Sequence, residues 1–324
     1  MRRLLCAALL ALPLPSMAGV GAVVSDHILP AHAGFAAATE ELVTASAACQ
    51  RPQMQAGYHA AFDAWMGVSH IQFGPIEAEG LSLAIAFWPD PKNQTEKALG
   101  RLIAAEDPAV NDPAEFAEVS VAAQGLMALE SLLYGARDET PYTCALAQAI
   151  ARHLAQSAAR LEAAWRERHA ALLMHPGPEN DIYTSQTEVQ RVLYTALSTG
   201  LEFLHDQRLG RPLGTYERPR PTRAEARRSA RSLRNITLNL QALQAFATAL
   251  AGQQDMPKSR AAFAEAIARA ESLDDPALHG VADPAARLRA EVLQQGVAAV
   301  QRAVAEEIGA GLGVRAGFNA LDGD

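Results

Sequence analysis

Along most of this chain apolar residues return at three- and four-residue spacing, and the strict alternation that would build a sheet is almost absent. The pattern predicts helices at about 20–48, 53–72, 94–104, 113–135, 141–173, 184–206, 222–253, 258–272 and 283–311. Proline and glycine mark the breaks. Pro30 predicts a kink, because it lacks the amide donor and crowds the preceding turn. Phe73-Gly74-Pro75 ends the second helix, and a long irregular segment follows to about Asn93, holding Phe87-Trp88-Pro89-Asp90-Pro91. His175 to Asn180 reads as the clearest linker, Leu209 to Pro221 as a loop, and the polar tail 317–324 as another. Thr222 followed by Glu225 has the form of a capping box opening the helix at 222. The fold class is all-α. At 324 residues the chain exceeds what one core usually holds, so two helical-bundle-like halves are expected, at roughly 19–174 and 181–316.

Composition sharpens that picture. Alanine-rich stretches favour helix strongly. Arg2 and Arg3, the apolar run Leu4 to Leu14 and then Ser16-Met17-Ala18 make residues 1–18 a signal peptide by pattern, so the mature chain should begin near Gly19 and work in the periplasm or cell envelope. That run is too short to span a bilayer and no later stretch is long and apolar enough, so the chain is not expected to be membrane-spanning. Cys6 falls inside the signal. The remaining two, Cys49 and Cys144, are expected to form one disulfide in an exported protein.

The net charge of −8 argues against nucleic acid as a partner. One segment runs against it: Arg218, Arg220, Arg223, Arg227, Arg228, Arg231 and Arg234 stand against Glu225 alone. On a helix, Arg220, Arg223, Arg227, Arg231 and Arg234 would share a face. That face is a solvated or inter-helix ion-pair seam on one reading, and a seat for an anionic ligand or for a buried acid on the other.

The acid in question is Glu130. It is the single charge in the apolar stretch between Glu118 and Arg137, where an ionised carboxylate needs a partner. Arg228 and Arg231 are the candidate ion-pair partners. Gly125 to Glu130 reads Gly-Leu-Met-Ala-Leu-Glu, which resembles the Gly-x-His-x-x-Glu motif of imelysin-like proteins, the peptidase M75 family, with Met127 where the motif has histidine. Ala64-Trp65, Phe73-Gly74-Pro75, Phe87-Trp88-Pro89-Asp90, Gly125 to Gly135, Glu202-Phe203-Leu204 and Arg231-Ser232-Leu233 also resemble the family in the expected order. The resemblance implies an imelysin-like domain over 19–324, two bundle-like halves with the motif helix near their interface, and a ligand site at Gly125, Met127 and Glu130. It also implies an envelope protein linked to iron or haem acquisition, with iron or haem as the possible cofactor and uptake proteins of the envelope as partners.

Histidine and glutamate three apart on a helix could touch one metal, and this chain lacks that pair. Methionine is a soft thioether, poor for Zn²⁺ or Fe³⁺, and equally a filler of irregular core gaps. No catalytic residue is assigned, and the metal, if any, is left unknown. His59 and Asp63, four apart, read as a surface pair, and no His-Glu-x-x-His motif is present. Three readings stand: a non-enzymatic binding or accessory protein, a metallopeptidase of the M75 type, and a helical scaffold whose ligand site has decayed.

Overall fold

The computed structural model describes residues 18–312. The predicted signal segment, apart from Ala18, and the predicted C-terminal loop lie outside the described residues. Among these the secondary structure is helical, with one isolated bridge between Thr215 and Arg218.

Helix α1 covers 18–46: Ala18–Ala22, a π-helical stretch Val23–Ile28, and Leu29–Ser46. The wide turn falls just before Pro30, where the Leu29 N–H reaches back to the Val24 carbonyl and the ring is accommodated without breaking the helix. Helix α2 is Arg51–Val68 and ends four residues before the predicted 72. Two short helices, Pro75–Ala78 and Leu81–Ile85, sit in the segment expected to be irregular. Next come a cis Trp88–Pro89 peptide and α3, Gln94–Ala105.

The single helix expected at 113–135 is broken. Pro113–Ala117 and a 3₁₀ turn Val121–Ala123 precede α4, the motif helix Gly125–Tyr134. Gly125 starts it at φ 68°, and a Cβ there would lie 2.3 Å from the carbonyl oxygens of both Ala84 and Ile85. Only glycine lets the motif helix begin against that backbone.

Helix α5 covers 141–174 and α6 covers 186–213, each with a π-helical stretch, Trp165–His169 and Phe203–Gly210. Thr140 and Thr143 form the capping box of α5, with Pro141 at its first turn. The helix predicted at 222–253 begins late. Pro221–Arg223 is a 3₁₀ turn, the chain then turns through 230, and α7 is Ser232–Ala251. Thr222 is therefore not a helix cap. Glu225 is buried, its carboxylate bound by the Arg208 Nε at 2.8 Å and by the Asn235 amide at 3.0 Å. Ala226 and Ala230, at φ 47° and 54°, carry the chain through the turn. Helix α8 is Pro257–Ser272, and α9 covers 284–309, capped by the Asp283 side chain.

Two hydrophobic cores result. One is built around Phe35, Tyr58, Phe62, Trp65 and the motif-helix residues Leu126 and Leu129. The other is built around Phe246, Phe263, Leu293 and Val297. The second core also takes Val20, Val23, Val24 and Ile28 from the start of α1, and Trp165, Ala170 and Leu173 from the end of α5. Both long helices therefore run from one core into the other. Cys49 and Cys144 form the expected disulfide, Cα to Cα 5.7 Å, tying the end of α1 to the start of α5.

Candidate functional site

Glu130 is buried, 1 % exposed, on the inner side of α4. Its Oε1 accepts from the Ser229 backbone N–H at 2.9 Å and from the Ser229 hydroxyl at 2.8 Å. The left-handed residues Ala226 and Ala230 flank Ser229 and shape the turn that holds this amide against the carboxylate. Burial pushes the Glu130 carboxyl above its ordinary range; the two Ser229 bonds and the charges of Arg228 and Arg227 oppose the rise without cancelling it.

Neither expected arginine is the partner of this acid. Arg228 reaches Glu96 at 2.9 Å, and Arg231 binds Asp63. Both of those carboxylates are 28 % exposed and stay partly hydrated, whereas Glu130 is sealed by neutral donors from the turn. Among the described residues, the ion pair with both partners buried lies elsewhere, between Arg208 and Glu225.

The two cores are nonetheless bridged by the arginine segment. Asp63 accepts from Arg231 and from the Arg234 Nε at 2.8 Å. Arg231 is 1 % exposed and lies over the Phe62 ring at 4.9 Å. Its Nη1 also reaches His59 Nδ1 at 2.9 Å. A guanidinium can only donate, so Nδ1 accepts, and the His59 Nε2–H donates to the Tyr134 hydroxyl at 2.7 Å. Burial and the Arg231 charge both lower the His59 pKa, which keeps that neutral ring in place. The pair expected at the surface, His59 and Asp63, is thus joined to the arginine segment. The helical face expected for the arginines does not form, because the chain turns at 224–231: Arg228 goes to Glu96, Arg231 and Arg234 share Asp63, and Arg227 bonds the Thr222 carbonyl.

Beside Glu130 opens a cavity of about 270 Å³. It is lined by Met127 and Glu130, by residues of the strap from Phe87 to Asn93, and by Arg211, Arg223, Arg227 and Arg228. Met127 is 9 % exposed and takes part in the first core. Gly125, Met127 and Glu130 therefore lie on one helix, and the last two reach the cavity. Gly125 contributes the close start of the helix. Ser229 had no signal in the sequence, since Arg-Arg-Ser-Ala-Arg reads as the interior of a charged helix.

The match to known families decides the relationship. The family model of imelysin, peptidase M75, matches residues 28–304. The chain belongs to the imelysin family. An imelysin-like protein from Psychrobacter arcticum 273-4 has the same fold, with a TM-score of 0.78 at 20 % identity over 94 % of this chain and 99 % of the other. A protein from Parabacteroides distasonis ATCC 8503, named as an iron-regulated protein A precursor, superposes with a TM-score of 0.72 at 12 % identity, covering 91 % and 96 %. No curated protein matches the chain. In this imelysin, no helix among the described residues is long and apolar enough to cross a membrane.

The family resemblance implies iron or haem, and the cavity's donors do not fit a hard metal ion. Met127 offers a thioether and Glu130 a single carboxylate whose Oε1 is taken by Ser229. Asp90 accepts from the Gln94 and Thr95 amides, and Glu96 from Arg137, Arg228 and Ser131. No group of three His, Cys, Asp or Glu side chains among the described residues is placed to hold a metal ion.

Proposed function

We propose that this imelysin is an exported, non-hydrolytic binding protein of the cell envelope that serves iron or haem acquisition. Met127 carries the reading. Metal-assisted hydrolysis needs ligands that hold the ion and leave a position for activated water, and a thioether at the motif histidine's place removes the imidazole donor and leaves Glu130 alone of the pair. The cavity beside Glu130 keeps the form of a ligand site, concave, part apolar and part charged. The relative named as an iron-regulated precursor supports the iron context. The signal pattern at 1–18 supports export to the periplasm.

Two measurements test the reading together. Protein purified from its native envelope is assayed for iron and haem, and for peptide cleavage. Loss of the gene should slow growth under iron limitation, with no cleavage by the pure protein. Chelator-sensitive cleavage abolished by Glu130→Gln would establish the metallopeptidase instead, and normal growth with no bound iron or haem would leave a scaffold.

A further inference from the structure

The cavity beside Glu130 has more positive charge than its own acids answer. Of its four arginines, Arg228 shares Glu96 with Arg137. Among the described residues, the other three form no ion pair with the acids that line the cavity. Arg211 gives Nη1 to the Gln207 side chain at 3.1 Å, and its Nε is buried without a partner. Arg227 gives Nε to the Thr222 carbonyl at 3.1 Å. The Arg223 side chain makes no hydrogen bond among the described residues. The acids on the wall are already engaged: Asp90 caps α3 through the Gln94 and Thr95 amides, and Glu130 is held by Ser229.

Guanidinium groups gathered round a small concavity repel one another unless an anion lies between them. Arg211 records that repulsion, since burial and the charge of Arg223 both lower its pKa. A buried, unpartnered N–H adds the desolvation cost of a lost hydrogen bond. Planar forks of this kind are suited to carboxylates, which they bind through paired N–H groups. The cavity is also lined by Phe87, Trp88, Pro89 and Pro91, whose apolar surface suits a carbon skeleton rather than a bare inorganic ion. Its volume holds only a small molecule.

We propose that this cavity binds a small organic polycarboxylate through Arg211, Arg223 and Arg227, with its carbon frame against the Phe87–Pro91 strap. The proposal rests on the reading of the protein as a binding protein and names the chemical class of its ligand. It also accounts for Met127, because a site that takes an anion through arginines has no use for a metal-binding histidine.

Isothermal titration of the mature full-length protein tests it, with citrate, its neutral trimethyl ester and inorganic phosphate as probes. Citrate should bind, the ester should not, and phosphate should bind more weakly. Arg223→Gln and Arg211→Gln should each weaken citrate by about tenfold or more, as expected for a charge-assisted contact. Arg260→Gln, at an exposed pair remote from the cavity, should leave it unchanged. The Arg223 side chain makes no hydrogen bond among the described residues, so its variant should fold normally, as far-ultraviolet circular dichroism would verify. Absence of citrate binding at millimolar concentration overturns the proposal. Equal affinity in the Arg223 variant and the parent, or tighter binding of phosphate, does so too. The functional reading above fails on cleavage and iron assays that involve no citrate, so the two fail separately.

Discussion

At the scale of single residues, Glu130 and Ser229 form the contact on which the site depends. Replacing Glu130 by Ala would leave the Ser229 amide buried without its acceptor, while the hydroxyl keeps the Ala226 carbonyl at 3.0 Å, with a loss of about 1–3 kcal/mol. Glu118→Ala, at an exposed position, should leave the denaturant midpoint unchanged, and equal midpoints for the two variants would mean that Glu130 is solvated. A second residue-scale prediction concerns the buried histidines. His27 and His70 meet Nε2 to Nε2 at 2.9 Å, against the Phe246 ring, and His32 hydrogen-bonds the Ile28 carbonyl. Burial lowers His27 and His32 to about 4, and lowers His70 well below its usual value, with Arg208 and the neighbouring histidines adding to it. The unfolded chain therefore takes up protons near pH 6.5 while the folded one refuses them. Stability is complete above that pH, declines as pH falls through the window to about 4, and loses on the order of 3 kcal/mol for each of His27 and His32. Denaturant titrations at pH 7.5, 6 and 5 check the slope. A flat profile would show that the histidines are hydrated in the native state.

Among elements, the motif helix owes its position to its first residue. Gly125→Ala meets both the positive φ and two carbonyl oxygens, so it should cost about 2–4 kcal/mol. Gly80→Ala shares the positive φ, at 63°, but its Cβ would meet nothing within 4 Å, and should cost only about 1 kcal/mol. Thermal midpoints of the two variants separate sterics from conformation. The same scale shows where sequence pattern suffices. Helices α3, α8 and α9 were legible because apolar spacing, proline at the first turn or a capping aspartate agree with one another. The turn at 224–231 was not legible. Alanine is the best helix former, yet Ala226 and Ala230 take left-handed conformations because Glu225 is anchored to Arg208 and Asn235, and Ser229 to Glu130. Those anchors lie 17 or more residues away on one side, where local pattern carries no trace of them. The π-helical stretches escape notice for a simpler reason, since one extra residue in a turn barely disturbs the apolar spacing.

For the whole molecule, the family, the all-α class and the disulfide were readable from motif order, periodicity and cysteine count. The partners of Glu130 and of the arginines needed coordinates, because acids and bases pair across distances the sequence does not encode. The Cys49–Cys144 bridge spans 95 residues, so reduction should lower stability by about 2–4 kcal/mol, readable as a drop in thermal midpoint with reductant. No change on reduction would mean that the reduced ends stay together through packing alone. Because α1 and α5 contribute side chains to both cores, heat should unfold the protein in one calorimetric transition; two resolved transitions would show that the cores are independent.

That threading has an outcome for anyone who would take the chain apart. A piece cut at the proline-rich turn after Met174 carries away Val20, Val23, Val24, Ile28, Trp165 and Leu173 with no surface left to cover them. Each severed piece would show a sticky greasy stump at one end, and would be expected to clump when expressed alone and to dissolve again only when its counterpart is supplied.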